Sequence, residues 1–344
     1  MSESVSRRDF LAASTAMLAL GHAPSTFPGD GAPAIVRARV APTVAVSSSN
    51  GIAAIAKAVE LADSGADSLD AVVEGIKLQE LDPEEESAGY GGLPNEEGVV
   101  QLDASCIHGP TGRVGAVVAL EGIRTPSEVA KLVLKYTNHT LLVGEGAKRF
   151  ALSYGFKEED LLTERSRQKW LTWRANHDAH DDFAEDGMVA SRSPGTVYLS
   201  VVNTAGDIAS VTSASGPAWK APGRAGNWPV AGAVHYVDND VGAAGSSGFG
   251  EPGLTECGGF ITVEHMRRGM RPTDAALETL KRIVAKAPAR FLMRSGLPRF
   301  SLTLYAVNKR GEFGAASLYP GRYAAHDARR AAERDTAYLY DRAL

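Results

Sequence analysis

Two cysteines in 344 residues, Cys106 and Cys257, exclude a disulfide framework; they could form one bridge but read rather as two buried thiols. No Lys/Arg-rich stretch is interleaved with aromatic residues, which argues against a nucleic-acid partner. No G-x-S-x-G elbow occurs, so a serine hydrolase of that type has no support. After the first twenty residues no run is long and apolar enough for a membrane helix. The eight histidines are scattered. His177 and His180 stand three apart in the polar stretch Glu164 to Pro194, with no paired ligand motif following. That stretch reads as a solvated linker, and neither a metal nor a cofactor is expected. There is no internal repeat.

What remains is an ordinary globular composition, 44% hydrophobic and 22% charged with a net charge of -5, enough for one large core or two modest ones. The N-terminus is a targeting segment. Ser6-Arg7-Arg8-Asp9-Phe10-Leu11 has the form of a twin-arginine export signal, and Leu11 to Leu20 is short and mildly apolar. Residues 1–30 are therefore expected to be signal peptide and leader. The protein beyond them is expected in the periplasm or outside the cell, with no membrane association after export.

Thr43 to Ser48 reads as a strand, and Ile52 to Ala62 and Ser68 to Leu81 as helices separated by Gly65. Asp82 to Glu86 reads as acidic and exposed. Val99 to Cys106 and Val114 to Leu120 read as strands, and Pro126 to Lys135 as a helix capped by Thr125. Beyond the linker, Thr196 to Val202 and Ile208 to Thr212 form a hairpin pattern. A helix spans 272–287 with Thr273 as its cap, and Ser301 to Val307 with Gly314 to Leu318 make a terminal hairpin. Helices, strands, a linker, then strands and a helix predict an α+β fold in layers.

The densest chemistry lies between Pro194 and Glu251. Gly248-Phe249-Gly250-Glu251-Pro252-Gly253 satisfies G-x-G-x-x-G, but Pro252 and the small-residue run before it do not suit a dinucleotide fold. Val237 to Gly242 has too few ligand positions for a calcium loop. A glycine-rich loop presenting backbone N–H groups remains open. Arg224, between glycines, is either a solvated loop arginine or a bidentate carboxylate clamp. Thr196 by itself is a strand threonine or a nucleophile. If the chain opened before it, its hydroxyl would attack and its freed α-amine would take the proton.

These residues stand in a longer pattern. It comprises Ser87-Ala88-Gly89-Tyr90-Gly91-Gly92-Leu93-Pro94-Asn95, Leu102-Asp103-Ala104, Gly115-Ala116-Val117 and Thr137 to Gly144 before the linker. After it come Gly195-Thr196, Thr212-Ser213, Gly223-Arg224-Ala225-Gly226 and Val237 to Glu251. From about Val44 to about Leu318 the chain resembles the glycosylasparaginase and isoaspartyl-peptidase family of N-terminal-nucleophile hydrolases. The resemblance implies a four-layer αββα sandwich and autoproteolysis between Gly195 and Thr196. Residues 31–195 would be an α chain ending in the polar linker and 196–344 a β chain, both in one hydrolase domain and expected as a dimer of αβ units. It implies a small-molecule or short-peptide β-aspartyl amide as substrate: glycosylasparagine, an isoaspartyl peptide or L-asparagine. Thr196 would be the nucleophile, Arg224 would hold the substrate α-carboxylate, and Ser247 with Gly248 would form the oxyanion hole.

The chain departs from the family's pattern at four places. Asn227 replaces an aspartate that binds the substrate ammonium, and Ala214 a threonine beside the nucleophile, with Ser213 and Ser215 as the candidates to supply that hydroxyl instead. Ser47 to Asn50 occupies the region of a pocket tryptophan, and Ser247 replaces a threonine while keeping the hydroxyl. Gly195 agrees with the isoaspartyl-peptidase branch. The alternative reading, motivated by Ala214 and Asn227, is a catalytically weak binding homologue with the same fold.

Overall fold

The computed structural model describes residues 42–176 and 196–341. Residues 1–30, the His177–His180 stretch and Gly195 lie outside them.

In chain order the elements are β1 (Val44–Ser48), α1 (Ile52–Asp63), α2 (Ser68–Glu80), β2 (Leu102–His108), β3 (Arg113–Leu120), α3 (Pro126–Tyr136), β4 (Leu141–Val143), α4 (Gly144–Ser153) and α5 (Glu164–Asn176). Then follow β5 (Val197–Val202), β6 (Ile208–Ala214), β7 (Tyr236–Asp238), β8 (Gly242–Gly248), α6 (Glu251–Thr255), α7 (Gly258–Arg267), α8 (Pro272–Lys286), β9 (Leu302–Asn308), β10 (Phe313–Ser317), β11 (Arg322–His326), β12 (Ala331–Asp335) and β13 (Ala337–Tyr338). Among the described residues no helix is long and apolar enough to cross a membrane.

Two sheets organise these elements. One runs β12-β11-β1-β5-β6-β2-β3-β4, the other β13-β10-β9-β8-β7. Strand alternation sends successive side chains to opposite faces. On the outer face of the larger sheet, Cys106, Val197, Leu199 and Val211 pack with Ile55, Leu69, Val72, Ile76 and Val133 of the helices. On its inner face, Val46, Ile107, Tyr198 and Val202 meet Val237, Ala243, Tyr305 and Val307 of the smaller sheet. The smaller sheet's far face is covered by α7 and α8 through Val263, Ala275, Leu280 and Ile283. The result is the expected four-layer αββα sandwich. β1, from before the linker, is hydrogen-bonded to β5, from after it. A cut between them would leave both parts held in one sheet.

Several sequence expectations need correction. Glu164 to Asn176 is a helix, not linker. Its polar surface hides the periodicity, because it docks by discrete contacts rather than an apolar stripe. Ser166 Oγ donates to the Gly91 carbonyl at 2.6 Å, Trp170 Nε1 to the Glu96 carbonyl at 3.1 Å, and Trp173 stacks on Trp219 at 5.3 Å. Arg165 and Lys169 both pair with Glu86. The acidic stretch 82–86 is thus partly engaged: Glu85 accepts from both the backbone N–H and the hydroxyl of Ser87.

Thr125 takes the expected N-cap position of α3 but gives no side-chain capping hydrogen bond, and α8 is capped by Arg271 rather than Thr273. A remote carboxylate serves α3 instead: Glu80, fully buried, accepts from Ser127 N at 3.0 Å and Ser127 Oγ at 2.7 Å. Pro272, fixed in φ, opens α8 after Arg271. The β9–β10 hairpin is not terminal, since β11 to β13 follow and β11 joins the larger sheet beside β1. Cys106 is buried, but Cys257 is exposed at the start of α7.

Candidate active site

Thr196 is fully buried immediately before β5. By alternation it shares the inner face with Tyr198. On the facing sheet, β8 sends Gly245 and Ser247 toward the same gap. The Tyr198 ring lies so close to Gly245 that a Cβ there would stand 2.1 Å from Cε2. Ser247 ends this row, and its Oγ is 2.6 Å from Tyr305 Oη. Gly248 has φ +105°, and a Cβ would meet the Ser301 carbonyl at 2.5 Å, so only glycine fits this turn.

The segment 223–228 is fixed from below by β2 and its approach. Gly226 N donates to buried Asp103 Oδ2 at 2.6 Å, and Gly223 N to Gln101 Oε1 at 2.8 Å. Lys220 Nζ donates to the Gln101 carbonyl at 2.9 Å. Burial lowers the Lys220 pKa, a shift that Arg224 reinforces and Asp103 opposes. Arg224 forms an ion pair with Glu251 at the start of α6. Its Nη1 is buried without a hydrogen-bond partner in the protein, and so is Glu251 Oε2. Asn227 is 2% exposed, and neither Oδ1 nor Nδ2 has a partner. Its amide lies across Gly250, where a Cβ would be 1.6 Å from Nδ2.

Buried polar atoms are nearly always hydrogen-bonded, and leaving one unpaired costs about 1–3 kcal/mol. Two opposed charged groups and one amide therefore present unsatisfied atoms in a single loop cluster joining the Gly248–Glu251 turn. That is the donor and acceptor set an amino-acid head group requires.

Of the hydroxyls expected near Thr196, Ser213 alternates to the helix-facing side, and Ser215 Oγ donates to the Glu86 carbonyl at 3.1 Å. Ala214 packs with Trp228 and Val234.

Sequence reasoning missed His235. Its ring is fully buried between Ser105 Oγ, 3.0 Å from Nδ1, and Ser210 Oγ at Nε2. Ser105 also bonds the Trp228 carbonyl at 2.8 Å, which can only accept. Ser105 spends its one proton there, so Nδ1 must donate to Ser105 and Nε2 must accept from Ser210. The neutral imidazole thus fixes the backbone next to Asn227. A lone histidine after Ala233-Val234 carried no motif that would have marked it.

Burial holds His235 down to about 3 and raises Glu80 to about 7. The two act on stability with opposite signs. Between pH ~6.5 and ~3 the unfolded chain carries the extra His proton, so stability falls as pH falls. Between pH ~4.5 and ~7 the folded chain carries the extra Glu80 proton, so stability falls as pH rises. Each slope approaches ~1.4 kcal/mol per pH unit, and they oppose one another where the ranges overlap. Glu80→Gln, which mimics the protonated acid, should unmask the histidine: its urea midpoint should climb more steeply than the wild type's from pH 5 to 6.5. Parallel curves for the two proteins would refute this pairing.

The pattern that defines the asparaginase family matches residues 28–317. The chain belongs to that family of N-terminal-nucleophile amidohydrolases. It is 37% identical over 280 residues to an N(4)-(β-N-acetylglucosaminyl)-L-asparaginase of Elizabethkingia miricola, covering 80% of this chain and 79% of that one. The rat protein of the same name is 34% identical over 277 residues, 74% of this chain and 77% of the other. An Arabidopsis thaliana protein named "Probable isoaspartyl peptidase/L-asparaginase 3" is 31% identical over 310 residues, with 79% and 84% covered. The family's fold and reaction class agree with the four layers and the glycine-rich turn described above.

Proposed function

We propose that this asparaginase-family enzyme hydrolyses β-aspartyl amide bonds with Thr196 as nucleophile, after opening its own chain between Gly195 and Thr196. Glycosylasparagine, isoaspartyl peptides and L-asparagine are the candidate substrates, as the names of the relatives suggest. The observation that carries the reading is the set of unpartnered buried atoms on Arg224, Asn227 and Glu251 beside the Ser247–Gly248 turn.

In the cycle, Thr196 Oγ attacks the substrate's β-carbonyl carbon while the Thr196 α-amine accepts the hydroxyl proton. Ser247 and the Gly248 N–H stabilise the oxyanion. Collapse breaks the C–N bond, and the departing amine takes the proton. Water then cleaves the aspartyl ester and frees Thr196. Arg224 offers Nη1 to the α-carboxylate, and Glu251 keeps the guanidinium oriented. Asn227 Oδ1 accepts from the α-ammonium without contributing charge, while Glu251 Oε2 adds a negative charge to the cluster.

Purified protein on a denaturing gel should show two fragments, the second with mass and N-terminal sequence beginning at Thr196. That preparation should release product from at least one of the three substrates. A persistent intact chain without turnover would reject the proposal in favour of a binding homologue.

A further inference from the structure

Ser247 lies in a second hydroxyl network that the cycle above does not use. Tyr305 stands opposite Gly245 in the β8–β9 register, two pairs away from Ser247, which faces Thr303. Glycine at 245 leaves the inner face open, and the Tyr198 ring fills it, with the Tyr305 ring stacked on Tyr198 at 5.8 Å between centroids and 11° between planes. Both rings are essentially buried, Tyr198 at 0% and Tyr305 at 2% exposure. Tyr198 is itself pressed onto Gly245. The phenol oxygen is thus held at one point, 2.6 Å from Ser247 Oγ, with the Thr303 side chain beside it.

Two hydroxyls at this distance share one proton, and the direction matters. If Ser247 donates to the phenol, its proton is consumed and it has none for a substrate oxyanion. If the phenol donates, Ser247 Oγ is filled as an acceptor and its own proton must point elsewhere. A phenol is the better donor and the poorer acceptor of the two. Burial pushes Tyr305 up to about 12, so its proton stays in place at neutral pH. A chain of donors also polarises each member, strengthening the last bond.

We propose that Tyr305 is a positioning residue of the oxyanion hole, donating to Ser247 Oγ so that the Ser247 proton is aimed at the developing negative oxygen. This rests on the assignment of Ser247 to that hole. The test is a double-mutant cycle on self-opened protein, with kcat expressed per opened chain. Tyr305→Phe keeps the stack on Tyr198 and removes only Oη. Its kcat should fall about 10-fold, roughly the effect of one hydrogen bond, with KM within about 2-fold. In a Ser247→Ala background the same substitution should leave kcat unchanged, whereas a structural role would lower it by the same factor in both backgrounds. A Tyr305→Phe enzyme with wild-type kcat, or an equal loss in both backgrounds, overturns the relay alone. Wild-type kcat in Ser247→Ala overturns the oxyanion assignment and the relay with it.

Discussion

Thr196→Ala should yield one uncut chain that hydrolyses none of the three substrates. The substitution removes the hydroxyl proposed to attack twice, first on the Gly195 carbonyl and then on the substrate. An intact chain also never exposes the α-amine, whose ordinary pKa of ~7.7–8.0 suits it as base. Losing a nucleophile in comparable hydrolases lowers turnover by on the order of 10⁴–10⁶-fold. Folding should survive, because β5 remains paired with β6 from Val197 onward and with β1 from Leu199 onward. Thr196→Ser keeps the hydroxyl and should open slowly and turn over measurably. Two fragments from Thr196→Ala would move the cut elsewhere. An intact Thr196→Ala chain that still turned over would move the nucleophile.

The layered fold was legible because its strands obey alternation and its longer helices carry apolar stripes. Val44-Ala45-Val46 and Val197 to Val202 are buried on both faces and read clearly as strands. α5 was not legible, since a helix docked by Arg165, Lys169, Ser166 and Trp170 has no stripe to detect. The β11–β13 extension was missed because the sequence after Leu318 is charged and short in period. At the site, motif resemblance located Thr196, Arg224, Asn227, Ser247 and Gly248. It did not reveal what surrounds them, because the supporting contacts join residues far apart in sequence. Asp103 holds Gly226 across 123 positions, Ser105 holds Trp228 across 123, and His235 meets Ser105 across 130. Tyr305 reaches Ser247 across 58. None of these pairs has a local signature, and each becomes visible only when the two sheets face one another.

The contact between Gly250 and Asn227 gives the other large expected effect. Gly250 has φ -91°, where alanine is conformationally allowed, so any penalty of Gly250→Ala comes from its new methyl group. That methyl would stand 1.6 Å from Asn227 Nδ2. The Asn227 backbone cannot withdraw easily, because its carbonyl accepts from Val230 N at 3.2 Å and the next carbonyl is held by Ser105. The side chain must therefore swing away from the head-group cluster. Misplacing a substrate-binding group by ~1 Å can cost ~10²-fold, so kcat/KM for an aspartyl amide with a free α-amine should fall by about that factor. Self-opening should be unaffected, since it needs no amino-acid head group. In an Asn227→Ala background the clash is gone, and Gly250→Ala should add little further loss. Asn227→Asp tests the same contact from the other side. It restores a charge, and a charge-assisted bond is roughly twice as strong as a neutral one. Its kcat/KM should rise for the free-amine substrate and stay level for the acetylated one. If Gly250→Ala lost the same factor with and without Asn227, and Asn227→Asp treated the two substrates alike, then Asn227 does not face the amine. The charge in that pocket would then be set by Glu251 alone, and Glu251→Gln should be the substitution that separates free from acetylated substrate.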